Sequence, residues 1–301
     1  MANSITHGAR STANQVLAGI DLTRKCFLVT GCNTGIGFET MNALAANGAR
    51  VIGLARSIVR ARIACDKVGL CAIPVACDLA DLDSVAAAVK TIRSLQTPLD
   101  AIITNAGVAN PSTLQTRYEV ELQFLVNHVG HFYLVNQLLD RVRNGTGRIV
   151  MVSGSASVTH APPEGIMFDN LDGHLFYDPM IFYGQSKLAV ALYAKELSRL
   201  VYGRGIAVNS LHPGATRGTG LRKSLGIPFM KSTSQGAATQ ALLAASPQVA
   251  GITGEYWSDC QIADGNPLLS DSNLARRLWE ASAQIVAAND ASQSHSTLAI
   301  A

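Results

Sequence analysis

Short apolar runs alternate along this chain with stretches whose apolar positions recur at helical spacing, the pattern of repeated βαβ units. KCFLVT (25–30) predicts a strand, Ile36 to Asn47 a helix, RVIGLA (50–55) a second strand, and the residues up to about Val68 a second helix. CAIPVA (71–76) reads as a third strand, Asp81 to Leu95 as a helix with Asp81 near its N-cap, and LDAIIT (99–104) as a fourth strand. The longest helical pattern runs from about Arg117 to Arg143. GRIVMV (147–152) follows as a strand, Met180 to Val201 as a long helix and GIAVNSL (205–211) as a sixth strand. The rhythm breaks at 214–232, where glycines flank an apolar tip of Leu225, Ile227, Phe229 and Met230. A helix near Ser234 to Ala245, a short strand around Gly254 to Trp257 and a last helix near Asn273 to Ala287 complete the pattern. Strands this apolar on both faces belong in a parallel sheet covered by helices. Right-handed crossovers make that sheet doubly wound, seven-stranded and mostly parallel, in one α/β domain over 1–301. Residues 1–15 and 289–301 are polar or small, so flexible ends are expected.

Composition sharpens this picture. Only 15% of the 301 residues are charged, against roughly 25% in an ordinary soluble domain, and the mean hydropathy is +0.20. Much surface is therefore expected to be buried, partly between subunits. The helical stretches 117–143 and 180–203 are candidates to pair across a twofold axis in a homodimer or homotetramer. The 24 basic residues face 21 acidic ones, with no long basic run, which argues against nucleic acid as a partner. Cys65, Cys71 and Cys77 recur every six residues, without a CxxC pair or a nearby histidine. Buried reduced thiols are expected, no metal site, and a reducing compartment. No run approaches the roughly 18 apolar residues of a membrane span. The N-terminus has no apolar core for a secretory signal, although a short transit-like leader stays open; the default location is cytoplasmic.

The candidate chemistry begins at TGCNTGIG (30–37), which follows a strand and opens a helix. Gly31 allows a sharp turn, Gly35 lets backbone approach a pyrophosphate, and Gly37 lets the helix pack on the sheet. The N–H groups around Asn33, Thr34 and Ile36 then face the anion. A dinucleotide site in a Rossmann fold follows from that context. Where an NAD enzyme usually carries an acid at the end of the second strand, this chain reads Leu54-Ala55-Arg56-Ser57. A guanidinium there can pair with a 2′-phosphate, so NADP is favoured over NAD.

Tyr183 and Lys187 lie four residues apart in YGQSK, on one face of the helix after the fifth strand. A nearby ammonium stabilises phenolate and brings a tyrosine, ordinarily near pKa 10, towards working pH. TGCNTGIG, Asp78-Leu79, NAG (105–107), Asn127, Tyr183 with Lys187, and HPG (212–214) together resemble the short-chain dehydrogenase/reductase family, over about residues 15–285. STANQVLAGIDL, NHVGHF (127–132) and SPQVAGITGEYW (246–257) look like its branch of retinol dehydrogenases, the WW-domain oxidoreductase and a chloroplast import-associated dehydrogenase.

The resemblance implies that Asp78 and Leu79 meet the adenine and that Asn105, Ala106 and Gly107 lie beside the cofactor ribose. It implies Tyr183 as proton donor or acceptor, Lys187 on the nicotinamide ribose, and Asn127 holding a water of a proton relay. The family also expects a serine just beyond the fifth strand, where this chain reads Val152-Ser153-Gly154-Ser155. Counting forward from Ile149 places Gly154 at that position; counting back from Tyr183 with a one-residue insertion places Ser155 there. Ser155 is preferred, with Ser153 open. After Pro213 and Gly214 the family has a hydroxyl residue on the nicotinamide carboxamide, and Thr216 is the candidate, with Thr219 nearby. The apolar tip at 225–230 suggests a lid within 214–232. His128 and His131 stand at i, i+3 and are read as helix packing rather than as metal ligands.

Two function classes follow. One is an NADP(H)-dependent oxidoreductase interconverting a small hydrophobic carbonyl compound and its alcohol. The other is an NADP(H)-binding interaction protein with weakened catalysis.

Overall fold

The computed structural model describes residues 5–217 and 230–298. The tip at 218–229, with Thr219 and most of the expected lid, lies outside the described residues. Ala13–Leu17 (α1) is a short helix whose Ala13, Val16 and Leu17 are buried; Thr12 and Gln15 close a reciprocal cap at its start. Then come Cys26–Thr30 (β1), Gly35–Ala46 (α2), Arg50–Ala55 (β2), Ile58–Val68 (α3), Ala72–Ala76 (β3), Leu82–Ser94 (α4) and Ala101–Thr104 (β4). Each matches an expected element to within a few residues, because each has an uninterrupted apolar period.

The expected helix from Arg117 starts later. Thr116–Arg117 (β5) and Val120–Glu121 (β6) pair as a hairpin, turned by Tyr118 and Glu119, both at φ +56°. Positive φ at both central residues makes the turn that suits paired strands and excludes a helix. The helix begins once the buried Glu121 carboxylate accepts from the N–H groups of Gln123 (2.8 Å) and Phe124 (3.0 Å). It runs as Leu122–Phe124 (α5), a π turn at Leu125–Val129 and Gly130–Leu138 (α6).

Arg148–Val152 (β7), Ala156–Thr159 (α7), Pro179–Leu200 (α8) and Ala207–His212 (β8) follow, then Thr233–Gly236 (α9) and Ala238–Ala245 (α10). Tyr256–Ser258 (β9), Gln261–Ile262 (β10) and Ser272–Leu298 (α11) end the described chain. The sheet has eight strands in the order β10-β9-β8-β7-β4-β1-β2-β3. Seven are parallel, and β10 adds an antiparallel edge. That eighth strand escapes a periodicity reading because it is two residues long and joined by a tight turn.

Alternate strand residues feed the two sides. Leu28, Ile52 and Leu54 enter the core under α4, α6 and α8, whereas Phe27, Val29 and Val51 enter the core under α1, α2 and α10. The last helix is longer than its sequence pattern. It lies across the face that pairing of α6 and α8 between subunits would use. Trp279 packs edge-on to Phe132 at 5.1 Å and tilted against Tyr193 at 5.6 Å, and Ser282 Oγ is 2.7 Å from His128 Nε2. Those apolar faces are covered by the chain's own α11.

Candidate active site

Four loops leave the carboxyl ends of β1, β4, β7 and β8, which adjoin in the sheet. The strand order reverses between β1 and β4, where an open α/β sheet has its binding crevice. The first loop is the glycine turn. Gly31 sits at φ +68°, and a Cβ on it would come within 2.9 Å of Ala106 Cα. A Cβ on Gly37 would come within 2.3 Å of Gly31 O and 2.4 Å of Asn105 Nδ2. Only glycine lets the loop, α2 and the NAG segment interlock this closely.

The start of α2 has the features of an anion site. Ser57, Asp81 and Asp178 cap α3, α4 and α8 with side-chain oxygens, whereas Thr34 caps α2 with none. The helix start, with Asn33 half-buried and Thr34 exposed, thus leaves its first N–H groups without a side-chain cap, where an anion could bind. Arg56 is exposed directly after β2. Asp78 Oδ1 accepts from Ala80 N (3.1 Å), shaping the turn after β3, and Leu79 is buried there against Gly130.

The NAG segment is held from beneath. Asn105 Nδ2 donates to Thr30 O (2.9 Å) and Ala106 N–H to Thr30 Oγ1 (3.0 Å). Thr30 Oγ1 also lies 2.9 Å from His131 Nε2, and His131 Nδ1 lies 2.9 Å from Asn127 O. A carbonyl only accepts, so Nδ1 carries the ring proton, Nε2 accepts from the threonine, and His131 is neutral. Burial holds its pKa down to about 4, consistent with that assignment. Sequence reading missed this role; the one available signal was a histidine one helical turn beyond Asn127.

Asn127 sits in the π turn, a local widening that re-aims side chains. Its Oδ1 accepts from Val108 N–H (2.8 Å), and its Nδ2 donates to Val108 O (3.0 Å) and Ser186 Oγ (2.9 Å). Both amide hydrogens are thereby used to tie the NAG segment to α8. A Cβ on Gly107 would lie 3.0 Å from Asn127 Oδ1 and 3.5 Å from Lys187 Nζ, so these groups gather at one point of the loop.

Tyr183 and Lys187 share the face of α8 that points into the cleft, both buried, with the ammonium 5.8 Å from the ring centroid. Lys187 Nζ donates to Val152 O (3.0 Å). Burial pushes the lysine down to about 8, and burial with the neighbouring Tyr256 pushes the Tyr183 phenol above its ordinary range.

The loop after β7 separates the three candidates for the serine position. Ser153 Oγ is buried and donates to Lys187 O (2.7 Å). Ser155 is exposed at the start of α7, and its N–H donates to His212 Nδ1 (3.1 Å). The residue whose Cα faces the phenol is Gly154: a Cβ there would lie 3.9 Å from Tyr183 Oη and 3.8 Å from Lys187 Cγ. Tyr256 Oη, absent from the sequence-based set, donates to Gly154 O (3.2 Å) and anchors this loop.

Beyond β8, Pro213 and Gly214 run into Thr216, whose Oγ1 donates to Gly214 O (3.0 Å) and which is buried beside Gly236. Lys231 pairs with Asp259 and forms a backbone bridge with Thr216. Among the described residues no cluster of three or more His, Cys, Asp or Glu is placed to hold a metal, and no helix is long and apolar enough to cross a membrane. All six cysteines are free thiols, five buried and Cys71 half-buried.

A doubly wound sheet with a glycine turn at its switch point, and a buried tyrosine and lysine beside it, is an arrangement that can serve a nucleotide-dependent oxidoreductase. Comparison agrees. The short chain dehydrogenase family model matches residues 25–166. The short-chain dehydrogenase TIC 32 B, chloroplastic, of Brassica napus is 35% identical over 93% of this chain and 94% of its own. Human retinol dehydrogenase 14 is 33% identical, over 87% of this chain and 86% of its own. Among solved structures, an uncharacterised protein of Mycobacterium paratuberculosis superposes with TM-score 0.76 at 26% identity, over 92% of this chain and 97% of its own. A Burkholderia cenocepacia short chain dehydrogenase in complex with NADP gives 0.59 at 26% identity, over 77% and 98%. The chain belongs to the short-chain dehydrogenase/reductase family of NAD(P)-dependent oxidoreductases.

Proposed function

We propose that this chain interconverts a hydrophobic carbonyl compound and its alcohol with NADP(H), using Tyr183 as the proton donor and acceptor. The observation that carries the reading is the convergence of Tyr183, Lys187 and Asn127 on the loop after β4, beside the uncapped start of α2. When bound, the nicotinamide supplies or takes the hydride. The phosphates would lie on the Gly31–Gly37 turn, the adenine at Asp78 and Leu79, and the ribose nearest the nicotinamide at Asn105 and Lys187.

The remaining steps belong to the protein. In the reductive direction Tyr183 Oη donates its proton to the substrate oxygen, which becomes more basic as the carbonyl carbon is reduced. The Lys187 ammonium offsets the phenolate that remains, at a cost in desolvation that its bond to Val152 O partly repays. Asn127 positions both through Val108 and Ser186. Arg56 supports NADP, since an exposed guanidinium directly after β2 suits a 2′-phosphate. An apolar substrate is supported by Leu175 and Phe176, both exposed in the segment that leads into α8 ahead of Tyr183. The six unpaired thiols support a reducing compartment such as the cytoplasm. Because α11 covers the outer faces of α6 and α8, we infer that these helices do not form a twofold interface.

The test is Tyr183→Phe with NADPH and a panel of hydrophobic aldehydes and ketones. NADPH affinity should be retained while turnover falls by about 10²-fold or more. Wild-type turnover in the variant would overturn the reading. Tight NADPH binding with no turnover by either protein would support the binding-protein alternative.

A further inference from the structure

We propose that Gly154 leaves the substrate-oxygen seat with Tyr183 as its only side-chain hydroxyl among the described residues, and that the site therefore selects carbonyls that are already electron-poor. The inference rests on the oxidoreductase reading above and concerns which substrates that site favours.

The geometry isolates Gly154. Its Cα faces the phenol: an added Cβ would stand 3.9 Å from Tyr183 Oη and 3.8 Å from Lys187 Cγ, in ordinary contact with both. A hydroxyl on such a Cβ would come within hydrogen-bond range of the same oxygen that Tyr183 serves. Neither space nor backbone demands glycine here, since the contacts are ordinary and the residue is not among the glycines at positive φ.

Two neighbouring hydroxyls are committed elsewhere. Ser153 Oγ donates to Lys187 O (2.7 Å) and Ser157 Oγ to Gly154 O (2.7 Å). Ser155 begins α7, exposed, and its backbone N–H donates to His212 Nδ1 (3.1 Å). Gly154 O accepts from both Ser157 Oγ and Tyr256 Oη, which fixes the orientation of this loop.

A carbonyl reduced by hydride develops negative charge on its oxygen. Each preorganised donor aimed at that oxygen lowers the barrier, and removing one from a two-donor seat typically costs about 10²–10³ in rate. With one donor, the barrier depends more on the carbonyl's own electron demand. Quinones, 1,2-dicarbonyls and aryl carbonyls bearing electron-withdrawing groups fit such a seat; unactivated aldehydes and ketones do not.

The experiment compares wild type, Gly154→Ser and Ser155→Ala on 4-nitrobenzaldehyde and 4-methoxybenzaldehyde, with NADPH consumption read as kcat/KM. Wild type should favour the nitro compound steeply. Gly154→Ser should raise kcat/KM for the methoxy compound about tenfold or more and the nitro compound much less, flattening the preference. Ser155→Ala should change neither. Activity in Gly154→Ser towards an aldehyde that wild type leaves untouched supports the proposal equally. Loss of turnover in Ser155→Ala, with no gain in Gly154→Ser, overturns it and leaves the oxidoreductase reading standing. Turnover of neither aldehyde by any of the three proteins, with NADPH bound, overturns both.

Discussion

Acid should weaken this protein through His128, and the size of the effect can be worked from its surroundings. The ring lies in an aromatic cage, with centroids 5.2 Å from Phe124, 6.0 Å from Phe132 and 5.8 Å from Tyr193. Ser282 Oγ donates to Leu278 O (2.7 Å), so it must accept from His128 Nε2–H. That leaves Nδ1 buried and without a partner. Protonating Nδ1 would place an unpaired charge among aromatic rings, and the neighbouring His131 also works against the charged form. Burial accordingly holds the pKa down to about 3. An unfolded histidine titrates near 6.5. The native state thus binds fewer protons, and the stability this group contributes is full above pH 6.5 and is lost as pH falls towards 3. Between pH 7 and pH 5 the loss from His128 is about 2 kcal/mol. Urea unfolding followed by far-UV circular dichroism at the two pH values measures it. His128→Met should change stability at pH 7 by under about 1.5 kcal/mol, because Ser282 keeps its bond to Leu278. It should shrink the acid loss by about 2 kcal/mol, leaving a separate contribution from His131. An acid loss undiminished in the variant would refute the reasoning.

Two other outcomes follow from the site and from α11. Arg56→Asp should move the ratio of kcat/KM for NADPH over NADH by about 10²-fold towards NADH; an unchanged ratio would remove the 2′-phosphate role. Light scattering should return the mass of one chain for wild type and association for Trp279→Ala, which uncovers Phe132 and Tyr193. A wild-type dimer that Trp279→Ala dissociates would instead place α11 between subunits.

The parts legible in the sequence are those set by short-range spacing. TGCNTGIG needs its glycines for contacts inside one turn and against one neighbouring loop, and Tyr183 with Lys187 needs only the helical repeat. The hairpin at 116–121 was hidden because Tyr118 and Glu119 adopt positive φ without glycine, asparagine or aspartate to announce it. The serine question was hidden for a different reason. Counting along the chain treats Ser153, Gly154 and Ser155 as interchangeable steps, whereas the bonds from Ser157 and Tyr256 to Gly154 O decide which Cα faces the phenol.

His128 and His131 show the same limit within a single helix. At i, i+3 they read as one packing pair. In the fold they face different structures: His128 meets Ser282 of α11, and His131 meets Thr30 of β1. The π turn, which contains His128 and ends two residues before His131, makes the difference, since widening the helix over Leu125–Val129 changes how the residues in it and beyond it are aimed. It also carries Asn127 to Val108 and Ser186, so one irregular turn sets the amide beside Lys187, seats the last helix and braces the glycine-loop strand. No local periodicity encodes that turn. It is stabilised by partners that lie far away in sequence, Thr30 on one side and Ser282 on the other, so the residues that position the chemistry become visible only once the chain has folded.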